Sequence, residues 1–179
     1  LSGATKGSLI TKLDWRTNRV VEQIHSTVTP GMQSITFDNV AGTPVIAGLR
    51  SVRVGSETRR QVQLVGTAAG VARVEGGDIG RDAVGGVAVI NGASRGALVA
   101  LTFNNELAIV DRATGIAKRI KTGIAPFGVI ANAAETVAYV SNWGGRFPRK
   151  GDRTAATGSL PQADQVVVDT RGIAASGTI

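Results

Sequence analysis

An all-β fold is predicted by three observations. The apolar runs are short and rich in β-branched residues, turn-forming residues punctuate them, and almost no window holds apolar residues at helical spacing for three turns. The runs are Ser8–Leu13, Arg19–Ile24, Val45–Leu49, Gln61–Val65, Gly86–Ile90, Leu98–Phe103, Leu107–Val110, Pro126–Ala131 and Val137–Ser141. They predict eight to a dozen short strands. With 179 residues the chain has room for one domain of ordinary size. Its 24 glycines and seven aromatics (four Phe, two Trp, one Tyr) fit a protein made of tight turns.

Internal repetition narrows the architecture. Leu13-Asp14-Trp15-Arg16-Thr17-Asn18-Arg19-Val20 matches Val110-Asp111-Arg112-Ala113-Thr114-Gly115-Ile116-Ala117. In both, an apolar strand ends in Asp-x-x-Thr-(Asn/Gly) and a second strand follows. Asp14 and Asp111 have the chemistry of turn caps, because a carboxylate can accept the turn's own N–H groups. Asn18 and Gly115 can take the positive φ that closes such a turn. The next segments also correspond: Thr29-Pro30-Gly31 matches Ala125-Pro126-Phe127-Gly128, and each leads through a strand and a polar turn to another strand. A weaker copy lies between them, with strands at Gln61–Val65, Gly70–Val74, Gly86–Ile90 and Leu98–Asn104. Four strands in each 40–50 residues is the pattern of a β-propeller blade. The prediction is a partial ring of about three four-stranded blades plus the first strand of the next. Its repeats span about 7–59, 60–106 and 107–145, followed by an inserted loop at about 146–175 and a new blade starting at 176–179.

These residues also carry a family resemblance. Leu107–Asn142 (LAIVDRATGIAKRIKTGIAPFGVIANAAETVAYVSN) resembles the YVTN-type propeller repeat, with its Ile-Asp-x-x-Thr turn, Gly-x-x-Pro-x-Gly segment and terminal Tyr-Val-Ser-Asn. Residues 141–178 are similar to an inserted loop of bacterial YncE-like propellers fused to an alkaline-phosphatase-family (phosphoesterase) domain. The match runs from Ser-Asn-Trp-Gly-Gly through Gly-Asp-Arg-Thr to Val-Val-Asp-x-Arg-x-Gly-Ile-Ala-x-Ser-Gly-Thr. The first two repeats have lost Tyr-Val-Ser-Asn. The resemblance implies an exported protein, periplasmic or extracellular, whose metal-binding catalytic domain lies outside this chain. The absence of Met at Leu1 likewise predicts a chain processed or cut from a longer precursor.

Composition removes most catalytic chemistry. The absence of cysteine excludes disulfides, thiolate zinc sites and cysteine nucleophiles, and the single histidine, His25, excludes any histidine-cluster mechanism. No apolar run approaches the ~18 residues of a membrane helix. Twenty basic residues against 13 acidic give a charge of +7, yet they are spread along the chain without interleaved aromatics. That distribution is the surface of an arginine-rich soluble protein rather than a nucleic-acid interface. Val87–Gly96 mimics the strand-then-glycine opening of a dinucleotide site. The β-branched run that follows it is no helix, however, and Tyr139 has Trp143 rather than lysine four residues on. Asp78 and Asp82, in the glycine-rich stretch Gly76–Gly86, are too few for a calcium loop and read as a flexible surface segment. His25 reads as a solvent-facing residue beyond a strand end. No catalytic, metal or cofactor residue is assigned, and no cofactor is expected.

The candidate binding loop is the insertion: Asn142, Trp143, Arg146, Phe147, Arg149, Lys150 and Arg153. Its repeat should restart about 45 residues after Leu107, but Gly177-Thr178-Ile179 comes 70 residues on. Long structured loops are often functional. Two readings stand side by side. In one, the arginines hold an anionic group or a partner domain, with Trp143 and Phe147 as anchors. In the other, the loop folds over the propeller with Asp152 paired to a neighbouring arginine. The expected role is a non-catalytic binding or interaction scaffold. Its partner is another polypeptide or the remainder of the ring. The alternative is the propeller portion of a metal-dependent phosphoesterase.

Overall fold

Every strand pairing among the described residues is antiparallel. The structure, a computed structural model, describes residues 8–26, 32–40, 42–66, 74–78, 84–91, 96–111, 117–159, 163–175 and 177–179. The strands are β1 (Ser8–Asp14), β2 (Arg19–Ser26), β3 (Met32–Asp38), β4 (Thr43–Val54), β5 (Glu57–Gly66), β6 (Val74–Asp78) and β7 (Val84–Ile90). Then come β8 (Gly96–Leu101), β9 (Glu106–Asp111), β10 (Ala117–Lys121), β11 (Ile124–Ala131), β12 (Ala138–Gly144), β13 (Thr154–Ala156) and β14 (Gln165–Val167). No helix among the described residues is long and apolar enough to cross a membrane.

Two sheets have four strands, in the orders β3-β4-β5-β6 and β7-β8-β9-β10, while β1-β2, β11-β12 and β13-β14 are pairs. The sheets are therefore out of phase with the sequence repeats. The middle repeat, 60–106, is not one sheet: its first two strands close the sheet begun by β3 and β4, and its last two open the next. A repeat of four strands reads the same wherever it is cut, whereas hydrogen bonding fixes one cut. Two local expectations change as well. Asp78 ends β6 instead of lying in a loop, and His25 lies inside β2, opposite Leu9. Gly115, Pro30, Gly31 and Asp82 fall outside the described residues.

Register exposes a repeat that the residues hide. β3, β7 and β11 each begin with a shift in pairing, between Met32 and Ser34, Val84 and Val87, and Pro126 and Val129. Such a bulge raises the local twist. Beyond it, Val87↔Val99 and Ala88↔Leu98 of one sheet correspond to Val129↔Val140 and Ile130↔Tyr139 of the next.

The second four-stranded sheet is covered on both faces, and all six residues of β8 are buried. One cluster joins Val45 and Ala47 of β4 to Val84, Val87, Ala97, Val99, Leu101, Ala108 and Val110. Another joins Leu98 and Leu107 to Val129, with Val140 packed against it. A strand buried on both faces has no polar alternation to show, which explains the unbroken Gly-Ala-Leu-Val-Ala-Leu of β8.

β7 lies beside both β3 and β11, along the edges of their sheets. Its approach to β11 requires glycine. A Cβ on Gly85 or Gly86 would stand 2.7 Å from the Phe127 carbonyl oxygen, and one on Gly86 only 2.9 Å from the Val129 nitrogen. Thr102 Oγ1 donates to the Pro126 carbonyl at 2.9 Å and fixes the same junction. Gly86→Ala is expected to cost about 1–3 kcal/mol by forcing these backbones apart. Urea unfolding checks this, and a midpoint equal to wild type would refute the close approach.

Candidate functional site

The insertion leaves the third sheet at the end of β12 and returns to the same strand. Asn142 N–H donates to the Thr178 carbonyl at 2.8 Å, and Thr178 N–H returns a bond to the Asn142 carbonyl at 3.3 Å. The Asn142 side chain adds bonds to the Val140 carbonyl at 3.1 Å and to Thr178 Oγ1 at 3.3 Å. Asn142 thus acts as a clasp at the neck. By register, Asn142↔Thr178 corresponds to Leu101↔Glu106 and Gly48↔Gln63, where β9 joins β8 and β5 joins β4. All three connections lie at the same place in the repeat. The first is a hairpin lengthened to Val54↔Glu57, the second is a four-residue turn, and the third is the insertion.

Within the insertion, β13 and β14 pair, and Val166 and Val168 pack against Ile124 and Ala125. Asn105 ties the insertion to the neighbouring turn. It has φ +54°, its Nδ2 donates to Asp164 Oδ2 at 2.7 Å, and its Oδ1 accepts the Ala125 N–H at 2.8 Å. Sequence reasoning missed this residue. The signal was slight, an Asn-Asn pair after an apolar strand.

Most of the loop's charge is satisfied internally. Arg146 forks onto Asp152, with Nη1 to Oδ2 at 2.6 Å and Nη2 to Oδ1 at 2.9 Å. Asp152 also accepts the Arg149 N–H at 2.6 Å. The Arg146 hydrogen bond, then the Arg149 N–H, hold the Asp152 carboxyl far below the usual carboxylate range. Arg153 donates to the Thr170 carbonyl at 3.0 Å. Asp169 accepts the N–H groups of Arg171 and Ile173 at 2.9 and 3.0 Å, and these bonds, with the Arg171 guanidinium, lower its pKa. Among the described residues, the side chains of Arg149 and Lys150 make no ion pair, and both are exposed. Trp143 stacks on Phe127 with ring centroids 5.7 Å apart, so it lies against the third sheet. Phe147 is exposed. The arrangement can offer cations and an aromatic at its tip.

The first repeated turn has the capping geometry expected of it. Asp14 Oδ1 accepts the N–H groups of Arg16 at 2.9 Å and Thr17 at 3.3 Å, which lowers its pKa, and Asn18 has φ +53°. Asp111 ends β9. No group of three or more His, Cys, Asp or Glu converges among the described residues.

A cavity of about 370 Å³ opens at the other end of β11 and β12, between Phe37, Val87, Val129, Asn132 and Glu135. Two of its polar residues serve the turns around it. Asn132 Oδ1 accepts the Thr136 and Val137 N–H groups at 2.9 and 3.0 Å, and Glu135 accepts the Asn91 N–H at 2.9 Å.

Acid should open the insertion tip. Asp152 is held below its ordinary value of 3.8 in the folded loop. Its stabilisation is therefore complete above that value and is lost as pH falls through the lowered one. Protection of the Arg149 amide, its exchange measured against the intrinsic rate at the same pH, should fall on acidification below about pH 4, the ordinary carboxylate range, and Asp152→Asn should abolish that dependence.

No family model matches the sequence, and no curated protein matches it. Among solved structures, the chain is similar to Kuenenia stuttgartiensis hydrazine synthase, with a TM-score of 0.56 at 15% identity. The match covers 78% of this chain and 50% of that one, so the chain spans about half the length of the solved protein it matches. At this identity the likeness is one of fold.

Proposed function

We propose that the chain is a non-catalytic β-propeller segment, a binding and interaction scaffold of an exported bacterial protein. Sheets of the same strand order stacked face to face, with β3, β7 and β11 gathered along one side, support the propeller reading. One observation carries the scaffold role. The outer face of the third sheet presents Phe127, Ile130, Val137, Tyr139 and Trp143, each between 46% and 65% exposed. Ile130↔Tyr139 occupies the register of Ala88↔Leu98, and in the second sheet those residues pack against the third. The face is thus shaped for one more sheet of the same kind, and continuity with the stacking below it names the occupant. An apolar patch of this composition marks an interaction surface.

The reading is tested on the 179-residue chain by size-exclusion chromatography with light scattering. The wild-type chain should self-associate, and Ile130→Asp with Tyr139→Lys should shift it to monomer while its β-sheet circular dichroism is retained. A cooperative wild-type monomer indifferent to both changes would refute the scaffold face.

The exposed pair Arg149 and Lys150 favours a second reading, in which this segment belongs to a metal-dependent phosphoesterase and the insertion docks the catalytic domain. Arg149→Ala with Lys150→Ala should then lower the full-length protein's phosphatase activity. Unchanged activity leaves the insertion as a cover for the sheet beneath it.

A further inference from the structure

The first hairpin differs from its counterpart in one respect. Asp14 matches Asp111 in the repeated turn, and Leu13↔Val20 matches Val110↔Ala117 in pairing, so β1 and β2 are the counterparts of β9 and β10. The inward residues agree: Ile10 is 7% exposed and Leu107 is 5%. The other face does not. Leu13 is 61% exposed, whereas Val110 is fully buried. Val110 faces Ala97 across the β8–β9 ladder and belongs to the cluster formed with β4. Among the described residues β1 pairs only with β2, so the edge that β9 gives to β8 has no strand on it. An edge strand carrying exposed apolar side chains is a template for another chain.

We propose that the edge of β1 from Leu9 to Asp14 receives one antiparallel strand of the β8 type. This rests on the repeat reading above but concerns a different edge of the molecule. The β8–β9 ladder specifies the chemistry of the incoming strand. Gly96 pairs with Asp111, and a Cβ on Gly96 would lie 2.6 Å from the Val110 carbonyl oxygen. The residue opposite Asp14 must therefore be glycine. Its neighbour, opposite Leu13, must be small, as Ala97 is, to let the side chain close over it. The rest of the strand is an unbroken apolar run, since β8 is buried on both faces. The occupant is an uncharged segment of pattern Gly-small-apolar-apolar-small-apolar. The backbone ladder supplies affinity, and the glycine supplies selection.

The experiment extends the full chain at its N-terminus with a copy of residues 84–104 on a flexible Gly-Ser linker, and reads amide hydrogen exchange by mass spectrometry. Exchange across Leu9–Leu13 should slow about tenfold or more relative to the unextended chain, with protection of β8 unchanged. The same extension with its copy of Gly96 changed to valine should give no slowing. Equal exchange at Leu9–Leu13 with and without the extension, β8 remaining protected, overturns the proposal. Equal slowing by the valine form also overturns it, because the apolar segment would then be adhering without register. Loss of the third-sheet scaffold face would appear only in the light-scattering test, so the two ideas fail separately.

Discussion

The molecule depends on bringing the backbones of β7 and β11 closer than side chains allow. Gly85 and Gly86 permit that approach, and Thr102 bonds across it to the Pro126 carbonyl. Once these edges meet, the second sheet is enclosed between its neighbours, and β8 becomes a strand with no solvent face. The apolar cluster of Leu98, Leu107 and Val129 follows from the same contact, and the cluster with Val45 and Ala47 of β4 covers the other face. Interiors are packed densely enough that a single methyl at such a crossing is felt. Stacked repeats transmit that geometry only from neighbour to neighbour, so each junction must be correct in turn.

How much of this was legible depended on the range of the interactions. The Asp-x-x-Thr-Asn turn at Asp14–Asn18 could be read because its partners lie within three residues. The strands themselves could be read from short apolar runs. The cut between sheets could not, because pairing of β4 with β5 and of β8 with β9 crosses the repeat boundaries, and periodicity is blind to phase. Asn105 was hidden for the same reason: its partners Ala125 and Asp164 lie 20 and 59 residues away. In the tip of the insertion, Trp143–Arg153, composition displayed four cations and one acid. Only geometry separates Arg146, spent on Asp152, from Arg149 and Lys150.

The site residues divide accordingly into those that build the loop and those it presents. Asn142, Arg146 and Arg153 hold the neck, the tip and the return strand, while Trp143 leans on Phe127. Exposed ion pairs contribute little by themselves. The Arg146–Asp152 fork gains from being two-pronged and from sharing its carboxylate with a backbone N–H, which fixes the loop's shape. Shape at the tip, and apolar surface on the sheet below, are the two properties this chain exposes.

The clasp between Asn142 and Thr178 has an evolutionary consequence. Because the excursion departs and returns through one bridge, the sheet registers only the two ends and is indifferent to what lies between them. The entropy of closing such a loop grows only with the logarithm of its length, about 0.6 kcal/mol per doubling. The same position carries a lengthened hairpin in the first unit and a four-residue turn in the second. It is a socket in which segments of very different size are interchangeable, so new recognition can be acquired there while the stack beneath keeps its register.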